Sequence, residues 1–176
     1  MSMLARLFRS KSPSESDPRE ALRPLWHKVV ELSRSPALYR DDGVADTVGG
    51  RFDMITVLLS VVLMRLERDR VLAREAALLT ELFVEDMDGQ LRESGVGDVV
   101  VGKQVGKLVS VLGGRLGALR EARASGEWSE LEAVLTRNVT MLEGHGPQAL
   151  AARVKAFDDQ VAALDSRTLL AGGMTL

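Results

Sequence analysis

The chain has 176 residues, 45% apolar and 27% charged, with a formal net charge of −2 and no cysteine. That length favours one domain with a sizeable core, and the charge balance gives no case for nucleic-acid binding. The absence of cysteine excludes disulfides, zinc–thiolate sites and thiol nucleophiles.

The first stretch, "MSMLARLFRSKSPSESDP", carries Arg6, Arg9 and Lys11 and no acidic residue before Glu15. Met3, Leu4, Leu7 and Phe8 can share a helical face, but the apolar core of a secretory signal is missing. Residues 1–16 therefore read as a flexible basic tail. Its three cations, at about 1 kcal/mol each on an anionic surface, give weak membrane-surface contact. A helix follows, with Asp17 as N-cap, Pro18 at its first position and Glu20 two residues on. Leu22, Leu25, Trp26, Val29 and Leu32 form its apolar face, and Pro36 ends it. Pro24 marks a kink or a later start.

"SPALYRDDGVADTVGG" reads as loop, and a central helix covers roughly 50–68. Its run "MITVLLSVVLM" (Met54 to Met64) is apolar on all sides. As a helix the run rises about 16 Å, against about 30 Å of hydrocarbon, so it reads as a buried core helix. Helices are then expected from about 71 to 94, from about 99 to 124, through "EWSELEAVLTRNVTMLEG" until Gly144 to Pro147, and through "PQALAARVKAFDDQVAALDSR". The expectation is all-α: a single compact domain of about six helices over 17–167, with a frayed tail over 168–176. "VGDVVVG" is too short to carry a sheet.

The chemistry-bearing residues are sparse. His27 and Glu31 lie one turn apart, which suits a metal, but two ligands are too few. The other histidine, His145, sits in a Gly-Pro turn. Glu85, Asp86 and Asp88, or the pairs Asp41-Asp42 and Asp158-Asp159, suit a hard cation. Aspartate pairs on helices leave open a helical ligand- or diphosphate-binding enzyme as the alternative function. No Ser-His-Asp set, phosphate loop or dinucleotide fingerprint appears, so no catalytic residue, metal or cofactor is expected.

The glycines say more. On the helix from 99 to 124, Val101, Val105, Leu108, Leu112, Leu116 and Leu119 fall within an arc of about 80°. Gly102, Gly106, Ser110, Gly113 and Gly117 fill a second arc of about 80° beside it. A helical glycine forfeits about 1 kcal/mol against alanine, so something should offset the loss. Close packing inside the fold is the first expectation, and a groove for a partner helix the second. In "ESGVGD", Gly95 suits a left-handed helix end, Val96 its apolar contact, Gly97 a reversal and Asp98 the next N-cap. Asp88 and Arg92 are spaced for an ion pair. Asp86 is not explained by helix ending.

These motifs carry a resemblance. "GRFDM" at 50–54, "EDMDGQLRESGVGDVVVGKQVGKL" at 85–108, "GGR" at 113–115 and "RN" at 137–138 resemble the ubiquinol–cytochrome c chaperone family in order and spacing. Asp46, Thr47, Arg51, Phe52, Asp53 and Met54 match its first motif. Asp86, Asp88, Arg92, Glu93, Gly95, Gly97, Asp98 and Lys103 match its second. The resemblance implies an all-α assembly factor for respiratory complex III that binds newly made cytochrome b. It also implies contact with the ribosome or a small helical partner, and a cytoplasmic place peripheral to the inner membrane. Partner-binding or motif residues are then Asp46, Arg51, Phe52, Asp53, Asp86, Asp88, Arg92, Glu93, Gly95, Gly97, Asp98, Lys103, Gly106, Gly113, Arg115 and Asn138. The chain departs from the family pattern at Leu58, where a histidine is usual. It departs again at Leu112-Gly113, where an aromatic residue and tyrosine are usual, and at Gly106, where lysine is usual. Arg51 and Asp53 open the central helix, with Asp86, Asp88 and Arg115 as candidate charge partners.

Overall fold

The run Met54–Met64 forms the middle of a helix, Val48–Arg68, and every residue of the run is buried. The computed structural model describes residues 17–176; the expected basic tail over 1–16 lies outside the described residues. The long helices are α1 (Arg23–Ser33), α3 (Val48–Arg68), α4 (Ala73–Glu93), α5 (Asp98–Ser125), α6 (Trp128–Asn138) and α7 (Gln148–Ala163). Two five-residue helices, α2 (Pro36–Arg40) and α8 (Ser166–Leu170), complete an all-α fold of the described residues. α3 is the axis: α1, α4, α5 and α7 all pack on it, which is why its sequence is apolar all round. Phe83 of α4 links two layers, with its ring centroid 6.1 Å from Trp26 of α1 and 6.4 Å from Phe52 of α3.

Pro24 sets the start of the first α-helix. It lacks an amide hydrogen and sits in the first turn of α1, where none is needed. Asp17 caps a separate 3-10 turn, Pro18–Leu22, by accepting from the Arg19 amide at 2.9 Å. The helix expected directly from Asp17 is therefore two pieces.

The corner between α4 and α5 follows the sequence reading closely. Gly95 takes φ +85°; its amide donates to Arg92 at 3.0 Å, and the Val96 amide donates to Leu91 at 3.1 Å. These are the two bonds of a Schellman end, and only glycine takes that φ without strain. One detail differs: Gly97 is the N-cap and Asp98 the first helical residue. The Asp98 carboxylate goes to Arg92 instead of capping, which still places negative charge at the positive end of α5.

Two other expectations fail for one reason, namely partners distant in sequence. α6 stops at Asn138, six residues before the expected break at Gly144. Val139 is extended, and Val44 and Met141 form an antiparallel bridge, with the Ala45 amide donating to Thr140 and the Leu142 amide to Gly43, each at 2.8 Å. This crossing presses on the start of α3: a Cβ on Gly50 would lie 1.9 Å from the Ala45 carbonyl oxygen. The tail over 168–176 is docked, not frayed. Leu169 and Met174 are buried, and the Thr175 amide donates to Gln160 Oε1 at 2.9 Å. Gly172, at φ +77°, lets the chain turn beside the Pro24 carbonyl.

Candidate partner-binding surfaces

Asp53 is the polar centre of the fold. It lies one turn into α3, 6% exposed, and its Oδ1 accepts from Arg115 Nη2 of α5 at 2.5 Å. Its Oδ2 accepts from the Thr140 amide at 2.9 Å and the Thr140 hydroxyl at 2.8 Å. Arg115 also donates to the Thr56 hydroxyl, and its guanidinium lies 5.6 Å from the Phe52 ring centroid. Arg115 Nε has no hydrogen-bond partner, so the network is tight but not complete. One carboxylate thus ties α3, α5 and the strand-like crossing together. A buried pair of this kind orients helices more than it stabilises them.

The structure sorts the other sequence-singled residues. Arg115 pairs with Asp53, and not with Asp86 or Asp88, which stay on α4. Arg51 pairs with Asp46 at 2.7 Å on the surface; the pairing lowers the Asp46 pKa and raises that of Arg51. Asp88 binds Arg92 at 2.6 Å, as the spacing predicts, and the pair raises the Arg92 pKa. Asp86 accepts only from Gln90, at 3.2 Å, and Glu93 is exposed. Lys103 is exposed. Asn138 donates to the Val134 carbonyl at 2.8 Å, which closes the last turn of α6. Leu58 and Leu112, the two departures from the family pattern with large side chains, are buried and apolar in fact.

The glycine arc corrects the first expectation. Gly102, Gly106, Ser110 and Gly113 are exposed, and a Cβ added at Gly102, Gly106, Gly113 or Gly117 would meet nothing within 4 Å. The opposite side of α5 is the packed one, through Val101, Leu112, Arg115 and Leu119. The apolar arc and the small-residue arc touch on the wheel, so the sequence alone leaves open which one α3 covers. Val100 and Val111, at 46% and 39% exposure, lie on a separate flank about 120° from the centre of the glycine arc.

The aspartate pairs do not build a diphosphate site. Asp42 is buried against Arg153, Asp41 pairs with Arg40, Asp158 with Arg123 at 3.1 Å, and Asp159 with Lys155 at 2.5 Å. Burial pushes the Asp158 carboxyl up against the opposing pull of Arg123. Among the described residues no three metal-ligating side chains converge. His27 is exposed, and His145 fills the space beside Gly43, where a Cβ would lie 2.6 Å from the histidine Cβ. Thr56, Thr140 and Arg153, the partner of Asp42, are the structural residues the sequence did not flag. Nothing local marks them, because each acts on a residue at least 59 positions away.

The described residues thus form a set of helices tied by an internal charge network, with one long helix turned bare side out. A family model described as ubiquinol–cytochrome c chaperone matches residues 40–176, and the chain belongs to that family. The solved crystal structure of the Cbp3 homolog from Brucella abortus is similar, with 29% identity and a TM-score of 0.76, covering 89% of this chain and 88% of that chain. No curated protein matches the sequence. The protein is accordingly an assembly factor for the ubiquinol–cytochrome c reductase, and the enzyme alternative has no support.

Proposed function

We propose that the outer face of α5 is where the assembly factor holds newly made cytochrome b. The observation that carries this is the set of exposed glycines with open space around them. Each lowers helix propensity by about 1 kcal/mol against alanine, and no contact inside the described residues offsets that cost. A face without side chains lets another backbone come close, and membrane helices associate through such small-residue contacts. Lys103 and Lys107 border the face, and the half-buried Val105, Val109 and Leu116 border its other side. The Asp53–Arg115 network and the Gly95 corner fix the angle at which the face is presented.

No helix among the described residues is long and apolar enough to cross a membrane. The proposed place of action is the cytoplasmic side of the inner membrane, where cytochrome b is inserted, with the ribosome or a small helical partner as further contacts. Deleting the protein is expected to lower assembled complex III and leave other respiratory complexes near normal. Tagged cytochrome b should recover the intact protein from membranes. Unchanged ubiquinol–cytochrome c reductase activity in the deletion strain overturns the proposal.

A further inference from the structure

The acidic motif on α4 is not absorbed by the α5 face. It borders an open groove of about 1010 Å³ between α1 and α4. Trp26 and Leu82 are buried at its floor beside half-buried Val30. Gly89 leaves the α4 side open, since a Cβ there would meet nothing within 4 Å. Asp86 and Glu93 stand on this wall two turns apart, and neither has a basic partner among the described residues. Glu85, at the near end, is neutralised by Arg19 at 2.7 Å and by Arg23 at 3.4 Å.

We propose that this groove receives the chain's own N-terminal segment, residues 3–11. Three observations converge on that occupant. The described chain starts at Asp17, and Arg19 two residues later is bonded to Glu85 at the mouth of the groove. The segment brings apolar Met3, Leu4, Leu7 and Phe8 to the apolar floor, and Arg6, Arg9 and Lys11 to the carboxylates on the rim. Its length fits: nine residues in helical form span about 13 Å, and the α4 wall from Glu85 to Glu93 spans about 12 Å. Residues 12–16 then reach at most about 17 Å, enough to turn back along α1. The α1 wall adds Arg23, His27 and Arg34, but the carboxylates Glu31, Glu85, Asp86 and Glu93 outnumber the two arginines, and this negative balance disfavours a nucleic-acid phosphate or an anionic lipid headgroup in the same groove. Docking buries the apolar face that would otherwise enter lipid, so groove and membrane compete for one segment.

The chain has no cysteine, so an introduced pair is unambiguous. In the full chain, Leu7→Cys with Gly89→Cys should close an intramolecular disulfide under mild oxidation, at a rate unchanged by dilution. A control pair, Leu7→Cys with Val111→Cys on α5, should not close. Adding Asp86→Lys and Glu93→Lys, both on the groove's solvent side, should slow closure about tenfold while the melting temperature holds. Three outcomes overturn the proposal: equal closure at Gly89 and Val111, a disulfide that forms only between two molecules, and closure indifferent to the charge reversal. Phosphatidylglycerol vesicles supply the competing occupant. A segment that binds them while the Gly89 pair stays open has its apolar face in lipid, and that also overturns the proposal.

Discussion

The two sides of α5 are built from the same helix by opposite rules. Inward, Val101, Leu112, Leu119 and the Arg115 guanidinium fill space and meet α3 and α4. Outward, Gly102, Gly106 and Gly113 fill none, and solvent meets the backbone directly. An ordinary surface helix turns charged side chains to water. Here the inward side explains the fold, and the outward side, open among the described residues, is the one proposed to meet the client. The difference teaches that a low-propensity residue is informative when its surroundings are open, because packing cannot then account for it.

The inward side should be the costly one to break. Asp53→Ala leaves Arg115 buried without its counter-ion and Thr140 without its acceptor, at an expected cost of about 3–5 kcal/mol. Urea unfolding measures this; a loss below about 1 kcal/mol would show that the network does not hold α3 to α5. Gly50→Ala comes next, because its Cβ would overlap the Ala45 carbonyl. Overpacking there should cost about 1–3 kcal/mol and loosen the crossing at Val44 and Met141, seen as faster amide exchange at Ala45. Gly95→Val places a branched residue at φ +85°, and more than about 1 kcal/mol should be lost. An unchanged melting temperature would mean that the corner does not depend on the left-handed residue.

A smaller effect is expected at Asp158, between α7 and α5. Its folded pKa is raised by burial, so above the ordinary value of 3.8 the folded chain holds this proton more tightly than the unfolded chain. Stability from this group is present at low pH and falls as pH rises through the folded pKa. Asp158→Asn should flatten that part of the stability curve, measured by thermal melts across acidic pH. An identical curve in the variant would assign the pH dependence to other carboxylates.

How much of this was legible depended on how local the cause was. The Met54–Met64 run announced a buried axis because every face of it is apolar. The Gly95 end could be read because its two hydrogen bonds fall within six residues. The α6 boundary was hidden, since Thr140 leaves the helix to reach Asp53, 87 positions earlier. The docking of Met174 was equally hidden, because a short terminal "GGMTL" looks like any fraying end until α7 and α1 are in place. For the candidate site, the glycines were visible but their direction was not. Arg115 was visible as a charge, and only the packed structure chose Asp53 over Asp86 and Asp88 as its partner.

The direct test of the outward side is the double variant Gly106→Ala, Gly113→Ala, read by its melting temperature and by its recovery with tagged cytochrome b. Both positions are exposed with open space, so the added methyls should stabilise the fold by about 1 kcal/mol each through helix propensity. The same methyls stand where the client backbone is proposed to approach, so recovery with cytochrome b should fall. A more stable variant that still recovers cytochrome b as well as the parent protein would contradict the assignment of this face to the client.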